Sequence, residues 1–137
     1  MNKLKYNSDS MKLIMFFESM SGAKVKDCIS NEKLIFVIEE NEIGKAIGRN
    51  GVNVKRIENS LKKKIKLVEF SNDVLKFVKN FVYPIELLDI KQNDSVITMY
   101  CKDKNEKAML IGREHKSINH LSNIVKRHFN IREIKVI

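Results

Sequence analysis

The stretch Ile47-Gly48-Arg49-Asn50-Gly51-Val52-Asn53-Val54-Lys55-Arg56-Ile57 places two glycines three residues apart, ahead of apolar residues at helical spacing. Glycine has no Cβ, so such a loop adopts conformations closed to other residues and lets a phosphodiester backbone lie directly against it. A helix beginning just after the second glycine offers its opening N–H groups and the positive end of its dipole to phosphate oxygens. Arg49, Lys55 and Arg56 add positive charge, with Lys45 just upstream, and Asn50 can hydrogen-bond phosphate or sugar. Ile47, Gly48 and Gly51 form the apolar and conformational frame. Taken alone, a glycine pair also fits a plain helix C-cap followed by a bend, so the surrounding chain has to decide.

Working outward, a shift of 64 positions brings Ile47-Gly48-Arg49 onto Ile111-Gly112-Arg113, Glu42 onto Glu106 and Glu69 onto Glu133. Val54 then meets Ile118, Ile57 meets Leu121, Ile14 meets Val78, Phe17 meets Phe81 and Asp9 meets Asp73, with no gap. One unit repeated twice explains this register. The boundaries that follow are 1–70 and 71–137, with too little chain between them for a flexible linker.

Each copy opens with a helical face, Met11, Ile14 and Phe17 or Val74, Val78 and Phe81. Ser8 or Asp9, and Asn72 or Asp73, are the candidate N-caps. The first helices stop near Ser21-Gly22 and near Pro84, which biases Tyr83 away from helix. Strand-like runs follow at Lys24 to Ile29 and Leu34 to Ile38, then at Ile85 to Ile90 and Val96 to Cys101, each pair a candidate hairpin. Short helices at Glu42 to Ile47 and Glu106 to Ile111 lead through the glycine-bearing breaks into longer amphipathic helices, with Val54, Ile57 and Leu61, or Ile118, Leu121 and Val125, inside. Strands at Ile65 to Phe70 and Ile131 to Val136 close the units. The order α-β-β-α-α-β, twice, predicts an α+β protein with helices packed on a small three-stranded sheet in each half.

The composition suits this reading. The 137 residues are 43% hydrophobic and 31% charged, a globular mixture, and the net charge of +9 favours an anionic partner. Residues 1–70 hold 14 basic against 9 acidic residues and 71–137 hold 12 against 8, so neither end is a basic tail. The apolar run Leu13 to Phe17 is far too short to span a membrane. Cys28 and Cys101 are lone cysteines, which fits a reducing compartment rather than a disulfide scaffold. His115, His120 and His128 lack the spacing of a helical metal pair, and the scattered carboxylates form no catalytic pair, so neither a metal, a cofactor nor an enzymatic reaction is expected. Lys62-Lys63-Lys64 reads as a solvated run at a helix C-terminus, where cations complement the dipole.

The two-glycine loop set between helices in a repeated α-β-β-α-α-β unit resembles the KH domain, whose GXXG loop clamps nucleic-acid backbone. The helix-first, strand-last order resembles the type II KH topology, and two such units in tandem resemble the KH pair of the NusA family. Phe17-Glu18-Ser19, Gly22-Ala23-Lys24-Val25-Lys26-Asp27-Cys28, Ala46-Ile47-Gly48, Val78-Lys79-Asn80, Tyr83-Pro84 and Lys126-Arg127-His128-Phe129-Asn130-Ile131 are similar to the archaeal form. The resemblance implies a monomeric cytoplasmic transcription factor that binds single-stranded RNA of the nascent transcript, with RNA polymerase as a further partner. A structural RNA-binding role at the ribosome is the alternative, and a nuclease is a third class. It also implies RNA contacts at Gly112, Arg113 and Lys116 in the second loop, and bases held near Ile47, Val54 and the Leu34–Ile38 strand. The second loop departs from the pattern: Gly112-Arg113-Glu114-His115 lacks the last glycine and carries a negative charge, which puts its clamping in doubt.

Overall fold

The computed structural model describes residues 8–30 and 33–137. The chain divides into two compact units between Ser71 and Asn72, and each has its own three-stranded sheet. The first unit runs α1 (Ser8–Ser21), β1 (Val25–Ser30), β2 (Leu34–Ile38), α2 (Ile43–Ile47), α3 (Val52–Leu61) and β3 (Ile65–Glu69). The second repeats the order with α4 (Val74–Val82), β4 (Asp89–Asn93), β5 (Val96–Tyr100), α5 (Lys104–Ile111), α6 (Lys116–His128) and β6 (Glu133–Val136).

In both sheets the second strand is central, antiparallel to the first and parallel to the third. The parallel pairing requires a crossover between those strands, as a parallel neighbour cannot be reached by a tight hairpin. In each unit that crossover is a helix–loop–helix segment, and in the first it carries the two glycines.

β2 is buried at every position, as its unbroken run Leu34-Ile35-Phe36-Val37-Ile38 anticipates for a central strand. Its Phe36 ring lies 4.5 Å from that of Phe17 on α1, and Ile14, Cys28, Ala46 and Ile57 complete this core. Met11 is exposed; Leu13 takes its place beside Ile14 and Phe17, because the helical face advances by threes and fours from residue 10 rather than 11. In the second unit Phe77 packs against Phe81 and Phe129, at 6.4 and 5.8 Å between ring centroids.

Carboxylates of the first unit fasten its elements together. Glu18 accepts from the Val25 N–H at 2.9 Å, Glu42 from Lys24 at 2.9 Å, Glu58 from Ile65 at 3.0 Å and Glu69 from Asn41 at 3.0 Å. Each tie joins residues in or next to two different elements. The second unit uses Asp73 and Asp103 as N-caps: Asp103 accepts from the Glu106 N–H, while the Glu106 carboxylate reaches back past the N-cap to accept from the Lys102 N–H. The N-cap expected at Ser8 or Asp9 is not of this kind. Asp9 lies in the first turn of α1, and the residue before the helix falls outside the described residues.

One strand lies away from its expected place. β4 occupies Asp89–Asn93 rather than Ile85 to Ile90. The turn at Asp94, with φ 61, pairs Asn93 directly with Val96, and this tight hairpin carries the strand into the polar residues Lys91-Gln92-Asn93. Ile85 instead closes a turn on Val82 after the cis Tyr83-Pro84 bond. An edge strand needs its backbone pairing more than an apolar sequence, so polarity did not exclude these residues.

Candidate nucleic-acid interface

α2 ends at Ile47, and Gly48 turns the chain at φ 78, ψ 170, a region that is essentially glycine-only. Asn50 (φ 56, ψ 27) and Gly51 (φ 73, ψ 18) then follow one another in the left-handed region before α3 begins at Val52. The Gly51 N–H donates to the Gly48 carbonyl at 3.1 Å, closing the turn. Asn53, in the first turn of α3, reaches back to donate its Nδ2 to the Lys45 carbonyl at 2.8 Å. The two helices are thus latched across the loop, and no side chain caps the start of α3. A phosphate oxygen suits that end, where the helix dipole is positive.

The side chains expected at this site converge around the loop. Lys45, Ile47, Arg49, Asn50, Lys55 and Arg56 are all exposed, and Gly48 and Gly51 are half-buried beneath them. A surface hollow of about 400 Å³ is lined by Arg49, Asn50, Val52 and Lys55. Lys45 is held 3.6 Å from Glu42. The N–H of Lys24 and the neighbouring Lys45 hold the Glu42 carboxyl below its ordinary range, against the opposing pull of burial. The charged form of this carboxylate is therefore favoured beside the loop, with Oε1 accepting from the Lys24 N–H and Oε2 facing Lys45.

The second loop follows the same path. Gly112 has φ 78, ψ 167, Glu114 φ 55, ψ 30 and His115 φ 63, ψ 20, each within about ten degrees of its counterpart in the first loop. His115 thus takes the left-handed conformation that glycine occupies at Gly51. Histidine is one of the residues enriched there, and the cost is about 1 kcal/mol. The missing glycine leaves the backbone intact, and the difference between the loops lies in their side chains. Arg113, Glu114, His115 and Lys116 are exposed, and Lys116 sits 3.9 Å from Glu114. Gly112, Arg113 and Lys116 lie together in this loop, with a carboxylate among them.

One expectation about the base-binding groove needs correction. The Leu34–Ile38 strand is buried throughout, so it is core and presents no side chain to a ligand. Val54 is half-buried. The apolar groups that do reach the surface beside the loop are Ile47, 40% exposed, and Val52, 44% exposed. Val52 was missed, although its position on the helical wheel opposite the inward Ile57 could have revealed it. Among the described residues no group of His, Cys, Asp and Glu is arranged to hold a metal ion, and no helix is long and apolar enough to cross a membrane.

The KH domain model matches residues 13–87, more than half of the chain and all of the first loop. A protein of Methanococcus vannielii named "Probable transcription termination protein NusA" is 39% identical over 98% of this chain and 80% of its own length. Proteins of the same name from Methanocaldococcus jannaschii and Thermoplasma acidophilum are 32% and 30% identical, over 100% and 99% of this chain and 77% and 97% of theirs. The crystal structure of APE1850 superposes with a TM-score of 0.73 over 96% of this chain and all of that one, at 24% identity, a likeness of fold. On the repeated fold, the two-glycine loop and these relatives together, the chain belongs to the KH-domain proteins and, among them, to the archaeal NusA family.

Proposed function

We infer that this protein binds single-stranded RNA and acts on the transcript during transcription elongation and termination. The observation that carries the reading is the Gly48–Gly51 loop: a glycine-only turn, two left-handed residues and an uncapped helix start, ringed by Lys45, Arg49, Asn50, Lys55 and Arg56. Backbone phosphates lie against the glycines, Arg49 and Asn50 bind them from the loop tip, and Lys55 and Arg56 attract the strand along α3. Ile47 and Val52 offer apolar contact to the bases beside it. Residues 1–70 form the domain with the full clamp. Residues 71–137 form a second KH domain, in which Gly112, Arg113 and Lys116 extend the surface and Glu114 weakens its hold.

The protein acts as a binding factor rather than an enzyme, as a monomer in the cytoplasm, on nascent RNA and alongside RNA polymerase. The names of the relatives favour transcription over a ribosomal role. Crosslinking in cells followed by sequencing of the bound RNA tests this. Enrichment of newly made transcripts near their 3′ ends is expected; recovery confined to ribosomal RNA would replace this function with the ribosomal one.

A further inference from the structure

The side of α3 away from the core forms a continuous strip. Ile57 points inward, with Val54 and Leu61 half-buried beside it, while Val52, Lys55, Arg56 and Asn59 are exposed on the other side. At 1.5 Å per residue this helix carries the strip about 15 Å from the loop. At its far end Lys62 turns into the left-handed region (φ 54), its N–H donating to the Glu58 carbonyl, and the chain continues through Lys63 and Lys64 into β3. A second hollow, of about 350 Å³, is lined there by Glu58, Asn59, Lys62, Lys63 and Lys64.

The charge at this end is one-sided. Residues 52–66 hold six cations against the single carboxylate of Glu58, which already accepts the Ile65 N–H. The parallel register Leu34↔Ile65 and Ile35↔Lys66 brings Lys33 alongside the same strand end. Burial, and then the repulsion of Lys33, depress the Lys66 ammonium below the ordinary lysine range, so the crowding of positive charge is felt within the fold. Dipole complementarity accounts for a cation at a helix C-terminus. It does not account for a second hollow on the same exposed side as the loop's own.

The geometry points to Lys62, Lys63 and Lys64 as a second phosphate-contact site, where a single strand of RNA held by the Gly48–Gly51 loop continues along the exposed side of α3. This inference rests on the RNA-clamp reading of that loop. Lysine ammonium groups act as mobile point charges, so the site adds affinity and length preference without sequence preference.

The test compares two unpaired RNAs on the full chain: one of about four nucleotides, the reach of one GXXG loop, and one of about twelve, long enough for further phosphates. Fluorescence anisotropy is recorded across a salt series for the wild type and for Lys62→Asn with Lys63→Gln and Lys64→Gln. Asparagine tolerates the left-handed position, and circular dichroism checks folding. For the long RNA, affinity should fall about tenfold and the salt slope should flatten by about 2, three phosphates at about 0.7 each. The short RNA should bind the variant as it binds the wild type. Should the triple variant misfold, Lys63→Gln with Lys64→Gln keeps Lys62 in place and should flatten the long-RNA slope by about 1.4. Equal losses on both RNAs, or none on either, would overturn the second site while leaving the clamp standing. A short RNA that failed to bind even the wild type would overturn the clamp and the second site with it.

Discussion

Gly48 and Asn53 are matched to each other: a Cβ on Gly48 would lie 2.8 Å from the Asn53 Cγ and 3.0 Å from its backbone N, while Asn53 itself bonds the Lys45 carbonyl. The same relationship recurs between Gly112 and Ser117, where a Cβ would approach the Ser117 Oγ to 2.5 Å. The first glycine of each loop is therefore fixed by close approach as well as by its positive φ. At Gly51 an added Cβ meets nothing within 4 Å, and only the conformation favours glycine.

Gly48→Ala should thus destabilise the first unit by about 1–3 kcal/mol and disturb the loop, whereas Gly51→Ala should cost about 1 kcal/mol. His115 already shows that the second position accepts a side chain. Thermal melts followed by circular dichroism should show the larger fall for Gly48→Ala. RNA affinity should fall in both, since a Cβ at Gly51 projects into the space open to the ligand. Equal melting losses would mean that the clash with Asn53 is relieved at no cost.

Arg49→Asp with Asn50→Asp removes one positive charge and adds two negative ones where phosphate approaches. Both side chains are exposed, and aspartate tolerates the left-handed conformation at residue 50, so the fold should survive. RNA affinity should fall at least tenfold by anisotropy. Arg113→Asp should be milder, because Glu114 and Lys116 already offset charge in the second loop.

Because the second loop keeps the backbone path of the first, Glu114→Lys with His115→Gly should restore a conventional clamp without refolding it. Binding should tighten and the salt slope should steepen by about 0.7 for each phosphate gained. Unchanged affinity with an intact fold would show that side-chain chemistry is not what separates the loops.

Glu42 supplies a pH dependence. Its folded-state carboxyl is held below the ordinary value of 4.5, so the folded form favours the ionised group. The resulting stability is present above the unfolded-state value and is lost as pH falls through the folded one. Glu42→Gln should lower the melting temperature at neutral pH, and the gap from wild type should close as the solution is acidified below about 4. A gap that stayed constant through that range would mean that the Lys24 N–H and Lys45 do not favour the charged form.

Much of this was legible in the residues themselves. β2 is found at Leu34–Ile38 as the apolar run predicts, because a strand with neighbours on both sides has no polar face to blur its ends. The glycine loop stood out because so few side chains tolerate its angles. β4 was misplaced because hairpin register, rather than side-chain polarity, sets an edge strand. The intact path of the second loop was hidden for a related reason. A histidine at positive φ, and a first glycine with no room for a Cβ beside Ser117, become visible only once the chain is folded. The burial of β2 on both faces likewise could not be separated, by spacing alone, from a groove lined with aliphatic side chains.

The most direct measurement is a titration of the full chain with an unpaired oligoribonucleotide and with a duplex of matched length, repeated across a salt series. The unpaired strand should bind more tightly, with affinity falling as salt rises by about 0.7 in logarithmic slope per phosphate neutralised. Duplex bound as tightly as the single strand, or binding indifferent to salt, would contradict the assignment of the Gly48–Gly51 loop as an RNA backbone clamp.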